Sequence, residues 1–449
     1  MKKNTNKINT HHLIFRREIL VRFSSFVLFF VLALGNLSAQ KKHAHIALIN
    51  AAAHIGNGQI IENSLVVINQ NKLEIVSSIT GIKLYPSAYD TVIDLTGKHI
   101  YPGLINTNSI LGLHDAEAVR AACDFSEVGN INPHIRSLIA YNTDNIIVPT
   151  VKTNGILYSQ VTPRGGLISG SSSVMALEGW NWEDAVLKAE DGIHLNFPKA
   201  IHRNYSDEEG LTISSNKSYV NEINYLYKFF EDAQAYILTA TNTEKNIRFE
   251  AMRDMFNGKA NLYIHASKAK DMLSAIHFSK KFNLKKVVIV GAKEAYKITS
   301  DLKKNNISVM LNRVNDLPDN VDDDIDMVYK TPYLLQKDSV LFCLQLEGDM
   351  EAMQSRNLPF NAGVAAAYGL TKEQALASIS YNAAKILGVG NEIGSLEEGK
   401  LASLIVSDGD ILDIKTNAII LAYIAGKNIN LTNKQIELYL KYKTKYGIK

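Results

Sequence analysis

Cysteine is almost absent: Cys123 and Cys343 are the only two in 449 residues. No disulfide framework can therefore organise the fold. Cys343 sits within an apolar, strand-like run and reads as a small buried hydrophobe. One long-range bridge between the two stays open for a chain in an oxidising compartment. Long low-complexity stretches are also lacking, which excludes large-scale disorder. Excess positive charge is lacking once the N-terminus is set aside. Lys2, Lys3, Lys7, Arg16, Arg17 and Arg22 stand against Glu18 in the leader, so the net +3 of the whole chain becomes −2 without it. No basic stripe is left to suggest a nucleic-acid partner.

The basic leader runs into an apolar stretch from Phe23 to Leu37, too short and too poorly flanked for a stable membrane span. Leu37-Ser38-Ala39 then offers a small-residue cleavage site, with Gln40 as the mature N-terminus. Residues 1–39 read as a secretory signal peptide, placing the protein in the periplasm or outside the cell. The Arg16-Arg17 pair leaves a twin-arginine route open, and a retained signal anchor is the other alternative.

The remaining chain is ordinary globular material, 46% hydrophobic and 21% charged, long enough for one barrel and one smaller domain. Residues 44–100 read as β: His45–Asn50, Ser64–Ile68, Leu73–Val76 and Thr91–Leu95 are β-branched runs. Asn57-Gly58, Asn69–Asn71 and Gly97 supply the turns. From residue 101 the texture changes to strand–helix alternation, with strands at Gly155–Val161, Leu262–His265, Lys286–Val290, Ser308–Leu311 and Val340–Leu346. Runs apolar on both faces belong to a parallel sheet or barrel. Residues 218–257 read as mainly helical, with Ile223, Leu226, Phe229 and Phe230 in the core. Strands return at Leu404–Val406 and Ile419–Ile424, followed by an exposed helix over 432–446. Strands at both ends suggest one β-domain built from two distant segments.

Lys98-His-Ile-Tyr-Pro-Gly-Leu-Ile-Asn-Thr-Asn-Ser109 resembles the amidohydrolase superfamily, in particular its imidazolonepropionase-like branch. That family carries Pro-Gly-hydrophobic-Ile-Asp-x-His-x-His at the end of its first barrel strand. Gly394-Ser-Leu-Glu-Glu-Gly-Lys400 is similar to the segment leading back into the family's β-domain, and Asn382-Ala-Ala-Lys-Ile-Leu-Gly388 to its Asn-Pro-Ala-Lys helix. Arg356-Asn-Leu358 and Tyr368-Gly-Leu370 also fit, so the resemblance covers about residues 44–430. It implies a (β/α)₈ TIM barrel with a small β-sandwich domain. The expected division is 40–100 for the first sandwich segment, 101–388 for the barrel, 389–430 for the second sandwich segment and 431–449 for a C-terminal helix.

The resemblance also implies one or two divalent metals, usually zinc, that activate water and polarise the scissile carbonyl. The family's ligands are two His after the first strand, one His after each of the fifth and sixth, and an Asp after the eighth. In this chain Asn106 and Asn108 are read at the His-x-His pair, and a neutral amide oxygen binds zinc far more weakly than imidazole. Gly291 is read at the sixth-strand position. His265 keeps the fifth-strand His. Asp349, counted back from Arg356-Asn-Leu358, is read as the eighth-strand Asp, with Glu347 as the fallback. Asn196, on the segment that supplies a bridging acid in some relatives, is neutral. Two surviving ligands, His265 and Asp349, make a poor zinc site, so the expectation is no metal, or one weakly held.

Pro133-His-Ile-Arg136 and Thr162-Pro-Arg-Gly-Gly166 also match the branch, making His134, Arg136 and Arg164 candidates for the substrate mouth. Gly170-Ser-Ser-Ser173 reads as a loop able to cradle an anion, although it lacks phosphate-loop spacing and a nearby nucleophile pattern. Each candidate has a plain structural alternative: a helix cap for Asp349, loop hydrogen bonds for the asparagines, a strand-end histidine for His265. Two functions follow. One is hydrolysis of non-peptide C–N bonds, in cyclic amides or small peptide-like amides, with Asp349 as base and His265 as polariser or ligand. The other is a non-catalytic exported barrel that binds a small molecule, forms a homo-oligomer or pairs with an active relative.

Overall fold

The computed structural model describes residues 45–115, 119–206, 210–239, 244–319 and 322–448. The proposed signal peptide and its cleavage site lie outside them. Eight strands form a single sheet in chain order: β1 (Leu104–Ser109), β2 (Ile156–Val161), β3 (Ile168–Ala176), β4 (Val186–Asn196), β5 (Asn261–Ala266), β6 (Val287–Gly291), β7 (Ser308–Leu311) and β8 (Phe342–Leu344). A parallel bridge from Thr107 to Gln345, just past β8, brings the last strand back to the first. The sheet is thus a nearly closed barrel. Its strands are β-branched and buried on both faces; every residue of β2 and β6 is buried, as helices outside and side chains inside require.

Helices alternate with strands through most of the barrel. Tyr219–Leu238 lies between β4 and β5, Ala269–Lys281 between β5 and β6, and Met327–Lys337 between β7 and β8. Tyr219–Leu238 buries Leu226, Phe230 and Ala233. Phe230 meets Phe278 of the next helix edge-on, at 4.8 Å between ring centroids, a favourable aromatic geometry. Ile223 and Phe229, also expected in the core, pack against it only partly buried.

Strict βα alternation fails at one place. β3 pairs antiparallel with both β2 and β4. Thr162–Leu167 separates β2 from β3, and parallel neighbours need a crossover of about a dozen residues or more. The chain can only double back there. The Gly170–Ser173 segment, expected as a loop, is instead the middle of β3 and is buried.

The second layer is a β-sandwich. One sheet runs Lys72–Ser78, Ser64–Asn69, His45–Ile49, Thr91–Asp94. The other mixes both chain ends: Leu404–Ser407 pairs with His99–Pro102 on one side and with Ile419–Ile424 on the other. Ile46, Leu48, Val66 and Ile68 of the first sheet share a core with Ile100, Leu404 and Val406 of the second. A two-stranded ribbon, Ile201–Ser206 with Gly210–Ser215, follows β4 and was not read from the sequence. The C-terminal helix is Lys434–Lys445 and buries no residue. Among the described residues no helix is long and apolar enough to cross a membrane.

Candidate functional site

The polar side chains of the barrel converge at the carboxyl ends of β1, β4, β5 and β8. Asp191 is fully buried and accepts hydrogen bonds from Ser172 Oγ (2.7 Å), Gln160 Nε2 (3.0 Å) and the Tyr263 hydroxyl. Burial raises its pKa, and the donors from Ser172, Tyr263 and Gln160, with the Lys188 charge, oppose that rise. Tyr263 accepts from Asn261 Nδ2 at 2.7 Å, leaving its own hydrogen for Asp191.

The polarity of the network then propagates outward. Ser172 spends its hydrogen on Asp191, so His194 Nε2, at 2.9 Å, must donate to Ser172 Oγ. Burial, with smaller contributions from His265 and Arg164, holds the His194 pKa well below the usual range, so this ring is neutral. Its Nδ1 is consequently an acceptor and takes the Nε2 hydrogen of His265 at 2.9 Å. Stacking on Tyr263, 4.6 Å between centroids, fixes the His194 plane. In a neutral His265 this leaves the Nδ1 lone pair turned toward Glu347, 3.8 Å from Oε2. That separation is an electrostatic contact, too long for a hydrogen bond.

The facing half of the cluster is held by Arg164. It donates Nη1 to Asn108 Oδ1 (2.9 Å) and Nη2 to both Asn108 O (2.8 Å) and Glu351 Oε1 (2.8 Å). Asn108 Nδ2 in turn donates to Glu347 Oε2 at 3.0 Å. Gln160 ties the halves together, accepting from Asn108 N at 3.0 Å through the oxygen of the same amide that serves Asp191. Burial alone would raise the Glu347 pKa. The charge of a protonated His265, together with Arg164 and Asn108, outweighs it and brings the carboxyl down to about 2. Glu351 keeps a raised pKa, because burial outweighs its Arg164 partner and the Glu347 charge adds to the rise.

The sequence-derived candidates separate on this framework. His265, Asn108 and Arg164 come together. Asp349 does not: it is exposed beyond the strand end, and the helix that follows is preceded by Met350 with no side-chain cap. Glu347 faces His265 in its place, because the eighth strand ends two residues earlier than the count from Arg356 implies. Asn106 is also outside the cluster. Its buried amide donates to Ser355 Oγ at 2.8 Å. Counted from Pro102-Gly103, position 106 matches the family's Asp, and its two His positions fall on Asn108 and Ile110. Gly291 ends β6 with φ +92°, and a Cβ there would stand 2.8 Å from Ser267 Oγ. A histidine at 291 would be strained as well as crowded. Asn196 donates its amide to Gly166 O and Ser169 Oγ.

His134 and Arg136 line a different cavity of about 340 Å³, where β4 and β5 begin their pairing at Gly192, against the helical residues Ile247 and Ala251. Arg136 is paired there with Glu190. Neither reaches the cluster. Asp191, Ser172, His194, Gln160, Tyr263 and Glu351 were not assigned from sequence. The one available cue was a run of polar residues inside strands otherwise buried on both faces.

Two pairs of measurements check these placements. Asp349→Asn is expected to leave both stability and function unchanged, whereas Glu347→Gln disturbs the cluster. Because the Glu347 pKa falls from an ordinary 4.5 to about 2 on folding, its ionised form stabilises the native state at neutral pH. That contribution is present above pH 4.5 and is lost as pH drops toward 2. Thermal melts between pH 2 and pH 5 are expected to show a shallower acid-side loss in Glu347→Gln than in the unmodified chain.

The donor set does not fit a divalent metal. Among the described residues no three His, Cys, Asp or Glu side chains converge to hold one. Asn108 Oδ1 already accepts from Arg164, so a permanent cation stands beside the first family ligand position. A guanidinium cannot deprotonate to make way.

The amidohydrolase family model matches residues 338–434. The fold is shared with an amidohydrolase from Thermotoga maritima MSB8, which is 24% identical over 86% of this chain and 99% of that one, with a TM-score of 0.74. It is also similar to a putative prolidase from Bifidobacterium longum (15% identity, 90% and 99% coverage, TM-score 0.50) and to molinate hydrolase (13% identity, 87% and 96% coverage, TM-score 0.53). A comparison with curated proteins gives no match. The barrel with its sandwich is the fold these structures share, and residues 338–434 are the segment that matches the amidohydrolase family model.

Proposed function

We propose that this protein hydrolyses a C–N bond of a small amide at the carboxyl end of the barrel without a divalent metal, with His265 as general base. The supporting observation is the polarity of the Asp191–Ser172–His194–His265 chain, which leaves His265 Nδ1 as the unprotonated nitrogen at the mouth. Water attacking the amide carbon gives a proton to Nδ1. The imidazolium so formed is stabilised by the Glu347 carboxylate 3.8 Å away and returns the proton to the departing nitrogen. Arg164 holds Asn108 and Glu351 in place and is a positioning residue rather than a substrate contact.

A second reading is supported by a separate observation. Arg164, Asn108, Glu347 and Glu351 are bonded to one another, which suits a rigid binding site that performs no turnover. On that reading the protein is an exported small-molecule binder, alone or paired with an active relative. The leader and the net charge of −2 after its removal support export and a small-molecule ligand on either reading.

The test uses purified chain lacking residues 1–39, elemental analysis, and a panel of N-acyl amino acids and cyclic amides assayed with and without EDTA. Hydrolysis unchanged by EDTA, with zinc far below one per chain, is the expected result. Stoichiometric zinc, or activity abolished by chelation, overturns the metal-free mechanism. Binding without hydrolysis selects the second reading.

A further inference from the structure

Arg313 lies two residues past β7, and its guanidinium comes close to Gly348. A Cβ at position 348 would stand 3.0 Å from Nη2 and 3.4 Å from Cζ. Among the described residues this guanidinium has no hydrogen-bond or ion-pair partner, whereas the neighbouring cations are neutralised. Lys293 pairs with Asp316 at 2.9 Å and Asp319 at 2.7 Å, and Lys268 with Asp319 and Glu294. Asp316, the acid that lines the same space, is thus committed to Lys293.

Arg313 lines a cavity of about 40 Å³ together with Ser267, Gly291, Asn312 and Lys293. About 10–15 Å³ of such space holds one water, so the cavity has room for a small polar group such as a carboxylate. The cavity lies next in the chain to the proposed site: Gly291 in its wall pairs with Ala266, the residue after His265, and Gly348, beside the Arg313 guanidinium, follows Glu347. A half-buried guanidinium left without a counter-charge is costly, and a planar carboxylate satisfies it through two parallel hydrogen bonds. The Ser267 hydroxyl and the Asn312 amide supply further polar contacts.

We propose that Arg313 recognises a free carboxylate on the ligand, so that the preferred substrates are N-acyl amino acids or similar amides carrying a carboxylate close to the scissile bond. This rests on the His265 site being the place where the ligand binds, and it does not require turnover.

The experiment measures equilibrium binding of matched pairs: N-acetylglycine, N-acetyl-L-alanine and N-acetyl-L-leucine, each against its methylamide. The acid of a bound pair is expected to bind about ten-fold or more tightly than the methylamide, as suits a charge-assisted bidentate contact. Arg313→Gln is expected to bring the acid down to the level of the methylamide, and Arg313→Lys to retain part of the preference. Circular dichroism melts establish that both variants fold. Equal binding of acid and methylamide, no binding of any acid, or a preference that survives in Arg313→Gln overturns the proposal. Turnover is assayed separately: absence of hydrolysis alongside an intact acid preference defeats the role of His265 as base and leaves the carboxylate contact standing.

Discussion

His265→Gln is expected to lower the rate of amide hydrolysis by about 10²–10⁴-fold, the usual contribution of a positioned general base. Glutamine can still donate an amide hydrogen to His194 Nδ1, so the buried network is preserved while the proton acceptor at the mouth is lost. The comparison is made on kcat at saturating substrate, with thermal melts to show that the variant is folded. A rate within about three-fold of the unmodified protein removes His265 from the chemistry. His194→Gln provides the contrast. It breaks the link that fixes the His265 ring and is expected to shift the pH–rate profile as well as reduce kcat, because the ring is then free to present either nitrogen.

Arg164→Met is expected to cost about 3–5 kcal/mol of stability, the range seen when one partner of a buried ion pair is removed. Arg164 is 17% exposed and Glu351 8%, so solvent screens the pair little. The substitution leaves Glu351 beside Glu347 with no counter-charge and strips Asn108 of two donors. Urea unfolding measures the loss. The double variant Arg164→Met/Glu351→Gln is expected to recover most of it, because the stranded charge is the main penalty. A single variant as stable as the unmodified protein would show that the pair does not hold the site together.

On the proposed mechanism the two substitutions separate two roles that one metal ion would combine: His265 takes the proton and Arg164 supplies the fixed positive charge. An ion bound by several histidines both lowers the pKa of water and organises its ligands. In the proposed mechanism the organising charge is the Arg164 guanidinium, already bonded to its surroundings, and activation of water would fall to an imidazole oriented from behind by the Asp191 network. A member of this fold working in this way is expected to be slower than a metal-dependent one, but insensitive to chelators.

Much of the architecture was legible before any coordinates. The β-branched runs at His45–Ile49, Ser64–Asn69 and Leu404–Ser407 are strands, and the double-sided apolar runs are barrel strands, because burial on one face or two leaves a direct mark on residue pattern. The reversal of β3 was not legible. Ile168–Ala176 has the same burial on both faces whichever way it runs, and only the short Thr162–Leu167 connection carries the information. Within the cluster, Asn108, Arg164 and His265 are the positions the resemblance singles out that the fold brings together. Asp349 was chosen over Glu347 because position along the chain does not reveal where a strand stops; a two-residue error keeps the same face of the strand and moves the carboxylate past its end.

What this sequence determines by itself is local and periodic: which segments are strands or helices and which faces are apolar. Only the tertiary structure decided which polar side chains meet at the carboxyl end of the barrel. Ser172, Asp191, His194 and His265 are separated by up to 93 residues in the chain, and Arg164 meets Glu351 across 187 positions. Hydrogen-bond direction, tautomer and the pairing of buried charges depend on atoms brought together by barrel closure, and nothing in the periodicity of any one segment encodes them.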